Sequence, residues 1–219
     1  MTDGLLVRWL DLAGARILAA RGYLTDLDAA IGDGDHGINL ERGFRELALR
    51  LHEGFPANDS PAAILEVAGR ALISTVGGAS GALYGRGFQK AGSALRTLGE
   101  RTAPGSRWSR EERAAVAFGA AVDSIAALGR ARTGEKTMLD ALVPALATFE
   151  AVVRDGVPLV LATRRAAETA EAGAGGTMHL VATKGRASYL GERSIGHLDP
   201  GAVSSAILLR ALADSAAAT

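Results

Sequence analysis

The order of apolar and polar residues along the 219-residue chain predicts a series of amphipathic helices. Between residues 5 and 20, apolar side chains recur at steps of three and four residues, which is the spacing of one helix face. Comparable patterns follow along the chain, and glycine, proline or a capping residue bounds each of them. The eight segments predicted to be helical are 5–20, 38–53, 62–76, 82–98, 110–130, 137–153, 158–174 and 201–216.

Residues that begin helices support three of these assignments. Ser109 and Glu112 have the spacing of a capping box, and Pro158 suits the first turn of a helix. Asp199 and Pro200 fit a cap followed by a first-turn proline. No run of alternating β-branched residues is long enough to predict a strand. We therefore expect an all-α fold in which residues 1–219 form a single domain.

The connections between these helices are rich in glycine, and we expect the chemistry there because loops on a rigid scaffold carry many functional residues. Segment 22–37 ends in GDGDHG, whose glycines and helix-averse aspartates predict a long structured loop. The other glycine-rich connections are 77–81, 129–135 and 184–201.

The composition narrows the fold and the class of partner. The chain has 44 alanines and only 5% aromatic residues, which favours helices packed closely through small side chains. Its 24 basic and 24 acidic side chains cancel and are spread along the chain, so nucleic acid and acidic membrane surfaces are not expected partners. The absence of cysteine excludes disulfides, thiolate zinc sites and cysteine nucleophiles.

The chain is also not expected to cross or enter a membrane. Its longest stretch without a charged residue, 71–85, is shorter than the roughly 20 apolar residues of a membrane span and contains glycines. The first residues lack the basic and apolar blocks of a signal peptide. A cytoplasmic location is therefore expected.

The segment DAAIGDGDHGIN carries the strongest chemical signal. Asp28, Asp33 and Asp35 fall within eight residues, and carboxylates this close repel one another unless a cation binds them. A set of a few carboxylate oxygens suits Mg²⁺, because oxygens of water or phosphate complete its coordination shell. The closing glutamate of an EF-hand is absent. The alternative is a solvated acidic turn that caps the helix at 38–53.

Three further motifs contain candidate ligand-binding residues. In VGGASGALYGRGF, glycines surround Ala79 and Ser80 before a helix, which allows phosphate to approach backbone N–H groups; the alternative is close helix packing. In GEKTM, Lys136 and Thr137 are candidates for contact with phosphate or metal-bound water, and the alternative is a solvated first turn. The cationic connection 184–202, which is long and has no predicted structure, is interpreted as a nucleotide lid or site wall. His52 and His179 are expected to be ordinary surface or core residues.

Four motifs, LDAAIGDGDHGIN, STVGGASGALYG, GEKTM and KGRASYLGERSIGHLDPGA, resemble in sequence and order those of the ADP-binding L subunits of bacterial dihydroxyacetone kinases. The resemblance implies an antiparallel barrel of eight α-helices with the nucleotide at one end. It implies that Asp28, Asp33 and Asp35 hold two Mg²⁺ ions that bridge the phosphates of ADP or ATP. With Thr137 added from GEKTM, the expected nucleotide-binding residues are His36, Gly37, Ile38, Asn39, Ala79, Ser80, Gly129, Thr137, Met138, Arg186, Asp199, Pro200 and Gly201.

The resemblance also implies an activity shared between subunits. In such kinases a separate K subunit holds dihydroxyacetone on a histidine, so no substrate-binding histidine is expected in this chain. The L subunit supplies magnesium and nucleotide for phosphoryl transfer. In the phosphotransferase-system version, bound ADP is recharged by a phosphohistidine on an M subunit that draws on phosphoenolpyruvate; in the single-chain version ATP is consumed. A homodimer is a further possibility.

Two other functions are alternatives to a dihydroxyacetone kinase subunit. One is an ATP-dependent kinase for another small ketose such as erythrulose, or for an acyl substrate as in fatty-acid kinases. Fatty-acid kinases carry further domains and usually threonine where His36 stands, so the acyl alternative is weaker. The other is a nucleotide-loaded regulatory or scaffold protein, because members of the family bind a transcription regulator. Gly34 and Glu135 differ from some relatives, but neither is among the expected metal ligands.

Overall fold

The computed structural model describes residues 3–52, 60–102 and 107–218, and these ranges contain helices but no strand. The α-helices are α1 (Asp3–Ala19), α2 (Arg21–Ile31), α3 (His36–His52), α4 (Pro61–Thr75), α5 (Gly78–Arg101), α6 (Arg110–Gly129), α7 (Leu139–Arg154), α8 (Leu159–Gly176) and α9 (Pro200–Ala217). Two 3₁₀ segments, Thr177–His179 and Arg186–Ser194, lie between α8 and α9. The predicted all-α class is confirmed.

Helix packing follows a closed circuit. Helix α1 packs on α3, each helix from α3 to α8 packs on its successor, and α9 returns to α1. These eight helices correspond to the eight predicted segments, and their ring is consistent with the barrel that the resemblance implies. Helix α2 packs outside the circuit on α1, α3 and α9. The last residue of the segment predicted at 38–53 lies outside the described residues.

The loop predicted at 22–37 is wrong over most of its length, because residues Arg21–Ile31 form α2. Leu24 and Ile31 are buried seven residues apart, which places both on one helix face. The prediction treated the aspartates as residues that end a helix. In α2 they lie on the more exposed face and near the end, where a helix tolerates them. Only residues 32–35 of this segment depart from helix, and Gly34 there has φ of +71°.

Helices α4 and α5 approach each other backbone to backbone. A Cβ added to Gly85 would lie 2.7 Å from the carbonyl oxygen of Gly69, and one added to Gly69 would lie 2.5 Å from that of Gly85. Gly81 likewise abuts the Val76 carbonyl at the end of α4. Close packing therefore accounts for part of the glycine-rich motif, as the alternative interpretation proposed, and it explains the value of small residues in this fold.

Inside the ring lies an apolar cavity of about 110 Å³, with Trp9, Phe88 and Phe149 among its lining residues. The Tyr84 hydroxyl lies at its polar end, 2.7 Å from Ser204 Oγ and 2.8 Å from Ser205 Oγ on α9. Over the described ranges, no helix has both the length and the apolar character that a membrane crossing requires.

Candidate functional site

A cleft of about 370 Å³ lies between the GDGDHG turn, the start of α5, the start of α7 and the segment before α9. Thirteen of the sixteen residues predicted to bind metal or nucleotide line this cleft. They are Asp28, Asp33, Asp35, His36, Ala79, Ser80, Gly129, Thr137, Met138, Arg186, Asp199, Pro200 and Gly201. The fold therefore brings all four sequence motifs to one place.

Asp28, Asp33 and Asp35 form the acidic side of the cleft. Each offers a carboxylate oxygen within 4.8 Å of those of the other two. Opposite ligands of an octahedral Mg²⁺ are about 4.2 Å apart, because each bond is 2.0–2.1 Å long. The three oxygens thus fit a hard divalent cation with small side-chain movements.

The Asp28 side chain also caps α3. Its Oδ2 accepts hydrogen bonds from the backbone N–H groups of Asp35 (2.8 Å) and His36 (3.1 Å). The capping alternative therefore describes one oxygen of Asp28 correctly. Because this capping holds α2 and the start of α3 together, it also fixes the spacing of the acidic side chains.

The start of α5 faces the acidic cluster. Gly78 has φ of +66°, and a Cβ added to it would lie 3.8 Å from Oδ1 of Asp35. Ala79 and Ser80 follow in the first helical turn, whose backbone N–H groups lack intrahelical acceptors. A phosphate between α5 and the carboxylates would meet N–H donors on one side and carboxylate-bound cations on the other.

His36 is buried, and its ring forms a hydrogen bond with a side chain of α9. Its Nε2 lies 2.9 Å from Ser204 Oγ, which also contacts Tyr84. Burial lowers the pKa of His36, although the carboxylates of Asp28 and Asp35 oppose the change. Burial raises the pKa of Tyr84 to about 12. The network joins α3 to α9 through the His36 ring, and the Tyr84, Ser204 and Ser205 part of it was missed from the sequence.

The structure does not place Gly37, Ile38 or Asn39 in the lining of the cleft. Gly37 packs against α2, where an added Cβ would lie 2.6 Å from Thr25 Oγ1. Ile38 is 40% exposed. The Asn39 side chain accepts a hydrogen bond of 2.9 Å from Arg42 and lies beside Gly77. Their predicted contacts with nucleotide stay predictions.

The interpretation of GEKTM as a solvated first turn is wrong for Lys136, whose side chain is 1% exposed. Its ammonium donates to backbone carbonyls, including that of Thr177 at 2.6 Å. Glu135 is also engaged, because its Oε2 accepts from the Arg132 N–H at 2.9 Å. Helix α7 begins only at Leu139, so the motif forms a turn in which Thr137 and Met138 face the cleft.

The connection 184–201 is structured, contrary to the expectation that it has no structure of its own. Its 3₁₀ segment packs Ala187 against Ile31 of α2 and forms a wall of the cleft. Arg186 Nη2 lies 3.0 Å from Asp33 Oδ2. Three apolar residues that also line the cleft were not singled out from the sequence; they are Leu83, Ile125 and Leu139. His52 and His179 are exposed, as expected.

Comparisons with known proteins find relatives in sequence and in fold. Residues 30–214 match the family described as the DAK2 domain. The ADP-binding subunit DhaL of the PEP-dependent dihydroxyacetone kinase 1 of Listeria innocua is 41% identical over 94% of this chain and 93% of its own length. The ADP-binding subunit DhaL of the PEP-dependent dihydroxyacetone kinase of Escherichia coli is 38% identical over 95% of this chain and 94% of its own.

A solved structure has the same fold. It is the dihydroxyacetone kinase from C. freundii in complex with AMP-PNP and Mg²⁺, with a TM-score of 0.72 and 28% identity. The match covers 98% of this chain but only 34% of the solved chain, so the present chain corresponds to about one third of that kinase.

Proposed function

This chain belongs to the DAK2 domain family, and we propose that it is the adenine-nucleotide-binding subunit of a dihydroxyacetone kinase, acting as a phosphotransferase with a separate dihydroxyacetone-binding subunit. One observation carries the proposal: three carboxylates, a helix start and a cationic wall converge on one cleft. The two DhaL relatives are named as ADP-binding subunits, which supports this role. Residues 1–219 would act as one nucleotide-binding domain.

In this proposal Asp28, Asp33 and Asp35 hold magnesium, as two ions, and these neutralise the phosphate charge when bound. The backbone N–H groups of Ala79 and Ser80 hold the phosphates, with the start of α5 favouring their negative charge. Phosphoryl transfer needs little beyond such charge compensation and in-line positioning.

The rest of the cleft suits a nucleoside. Leu83, Ile125 and Met138 provide apolar surface, which fits the flat face of a base. Arg186 and residues 199–201 form a further wall of the same cleft. We propose that His36 acts through its backbone and its position, because its ring is committed to Ser204. The roles of Gly37, Ile38 and Asn39 are proposed from the motif alone.

We propose that the nucleotide stays bound as ADP and is recharged by a phosphohistidine of an M-type subunit, since the relatives are named PEP-dependent. Bound ADP would supply a terminal phosphate oxygen that takes the phosphoryl group as the bond to the histidine nitrogen breaks. The bond to the ADP oxygen would then break as a hydroxyl oxygen of dihydroxyacetone takes the group, which regenerates ADP and releases the hydroxyl proton to water. We place this reaction in the cytoplasm.

Reconstitution tests the proposal. The purified chain is analysed for bound ADP and mixed with a dihydroxyacetone-loaded K subunit, with ATP in one reaction and phosphoenolpyruvate plus phosphotransferase-system proteins in another. We expect co-purified ADP and dihydroxyacetone phosphate in the second reaction. Retained ADP without transfer from either donor would support the scaffold alternative, and preferential use of erythrulose would indicate another ketose kinase. Light scattering on the same sample distinguishes a monomer from a homodimer.

A further inference from the structure

Lys136 is the most buried charged side chain of the described ranges, and it lies in an uncommon backbone conformation. Its φ is +60°, which lies in a backbone region that residues other than glycine seldom adopt. Asp140 supports this conformation, since its carboxylate accepts hydrogen bonds from the backbone N–H groups of Gly134 and Thr137. The turn therefore aims the lysine side chain inward instead of toward solvent.

The Lys136 ammonium joins two other segments of the chain. It donates to the carbonyl oxygens of Thr177 at 2.6 Å, Leu180 at 3.3 Å and His197. An ammonium has three hydrogens, so these three carbonyls use its whole donor capacity. The side chain thus ties the turn before α7 to the end of α8 and to the loop before α9.

Two neighbouring hydrogen bonds reinforce the same junction. The Thr177 Oγ1 accepts from the Asp199 N–H at 2.9 Å, and the Thr183 N–H donates to the Glu135 carbonyl at 3.3 Å. Asp199 is the cap of α9, where its Oδ2 accepts from the Ala202 N–H at 2.7 Å. Lys136 therefore contacts the first turn of α9 indirectly, because its ammonium binds the carbonyl of Thr177, and the Thr177 hydroxyl binds the capping residue Asp199.

All three joined segments supply walls of the cleft. The turn before α7 contributes Thr137 and Met138, the stretch after α8 leads to Lys184 and Arg186, and the loop before α9 leads to 199–201. Lys136 itself also borders the cleft, but its donors are occupied by carbonyls. By contrast, the acidic turn and the start of α5 have no hydrogen bond to Lys136 among those described.

We propose that Lys136 is a positioning residue for nucleotide binding: its ammonium holds together the three segments that line the nucleoside part of the cleft, and it makes no described hydrogen bond to the acidic turn or to the start of α5. This inference rests on the proposed function, because it assumes that the cleft binds an adenine nucleotide. Removing the ammonium would take away the donor described for the Leu180 and His197 carbonyls and would leave the Thr177 carbonyl with the Leu180 N–H alone, so the wall segments would separate.

The first test compares two ligands on Lys136→Met, which keeps a long unbranched side chain without the charge. Calorimetry measures the affinity for Mg²⁺ with ADP and for Mg²⁺ with pyrophosphate, which lacks the nucleoside. We expect affinity for ADP to fall about tenfold to a hundredfold, as for small misplacements of a binding wall. Affinity for pyrophosphate should change less than about threefold. Lys90→Met, the same change at an exposed position of α5, is the matched control.

The absence of cysteine permits a second test that restores the charge chemically. Lys136→Cys is alkylated while unfolded, either with an aminoethyl group, which recreates an ammonium at the length of lysine, or with a propyl group, which does not. Both products are then refolded. We expect the aminoethyl protein to recover the affinity for ADP of the unmodified chain within about threefold and the propyl protein to remain weak.

The outcomes separate this inference from the proposed function. If the unaltered chain binds neither ADP nor pyrophosphate with Mg²⁺, the proposed function fails. If it binds both and Lys136→Met binds ADP equally well, the positioning role is overturned. Equal losses for both ligands, or equal recovery with the propyl group, would also overturn it, because they indicate general destabilisation or a packing role.

Discussion

The guanidinium of Arg186 lies 3.0 Å from the carboxylate of Asp33, so the wall of the cleft reaches across to the acidic cluster. The Arg186 side chain is 69% exposed and that of Asp33 is 34% exposed, which makes the ion pair weak in energy. Its position matters more than its strength, because a cation binding at Asp33 competes with the arginine for the same carboxylate.

Arg186→Gln should therefore have opposite effects on two ligands. Without nucleotide, affinity for Mn²⁺ as a magnesium probe should rise up to about fivefold, since an exposed ion pair contributes about 0.2–1 kcal/mol. Affinity for ADP with Mg²⁺ should fall about tenfold, because a charge-assisted contact to the nucleotide is lost. Electron paramagnetic resonance and calorimetry measure the two effects, and Arg193→Gln in the same 3₁₀ segment is the control. A decrease in both affinities would contradict the competition.

Asp35→Asn should abolish phosphoryl transfer while the helical fold survives. Asparagine keeps the size of the side chain but removes a negative charge from the set of three carboxylates. We expect transfer in the reconstituted system to fall at least about a hundredfold, because the acids compensate phosphate charge only through the cation. Asp123→Asn, at an exposed position of α6, should retain full activity. Full activity of either Asp35→Asn or Asp33→Asn would rule out the magnesium site.

Asp199 should make stability depend on pH in a distinctive direction. Burial raises its pKa from 3.8 to about 7, so the folded chain binds a proton that the unfolded chain releases. The ligand-free protein then loses stability as pH rises from about 4 to about 7, with no further loss from this group above that range.

The corresponding measurement is the melting temperature of Asp199→Asn at pH 5 and pH 8. Asparagine can still accept the Ala202 N–H hydrogen bond but does not ionise. We expect the melting temperature of the variant, relative to that of the unaltered chain, to be several degrees higher at pH 8 than at pH 5. A difference between the two proteins that does not change with pH would show that Asp199 ionises normally in the fold.

Tyr84→Phe should destabilise the chain by about 1–3 kcal/mol, because it removes the buried hydrogen bonds of the Tyr84 hydroxyl to Ser204 and Ser205, and each such bond contributes about 0.5–1.5 kcal/mol. Urea unfolding measures the change. Tyr189→Phe is the matched control, since the Tyr189 ring is 87% exposed, and its stability should change by less than about 0.5 kcal/mol. Equal effects of the two substitutions would mean that the Tyr84 network contributes nothing to stability.

Helical periodicity predicted the ring helices because each one buries a single continuous face, and that requirement is written locally in the spacing of apolar residues. The same rule failed for α2, which lies outside the ring and has little apolar surface to bury beyond Leu24 and Ile31. Its aspartates favour turns in isolation, but packing against α3 and α9 outweighs that preference.

The acidic cluster was also predictable, because its carboxylates are close in the chain and their repulsion needs no tertiary information. Lys136 shows the opposite case. A lysine beside a glutamate in a glycine-rich turn normally stays in solvent, and only carbonyls from residues 177–197 make its burial favourable.

The sequence by itself determined the helical class, the ring segments and the residue types of the cleft, because these follow from local spacing and from chemistry within each motif. The tertiary structure alone decided that Lys136 turns inward, that His36 binds Ser204 and that Arg186 meets Asp33. The carbonyl partners of Lys136 lie 41 to 61 residues along the chain, Ser204 lies 168 residues from His36, and Asp33 lies 153 residues from Arg186. These residues come close together only when the helix ring closes.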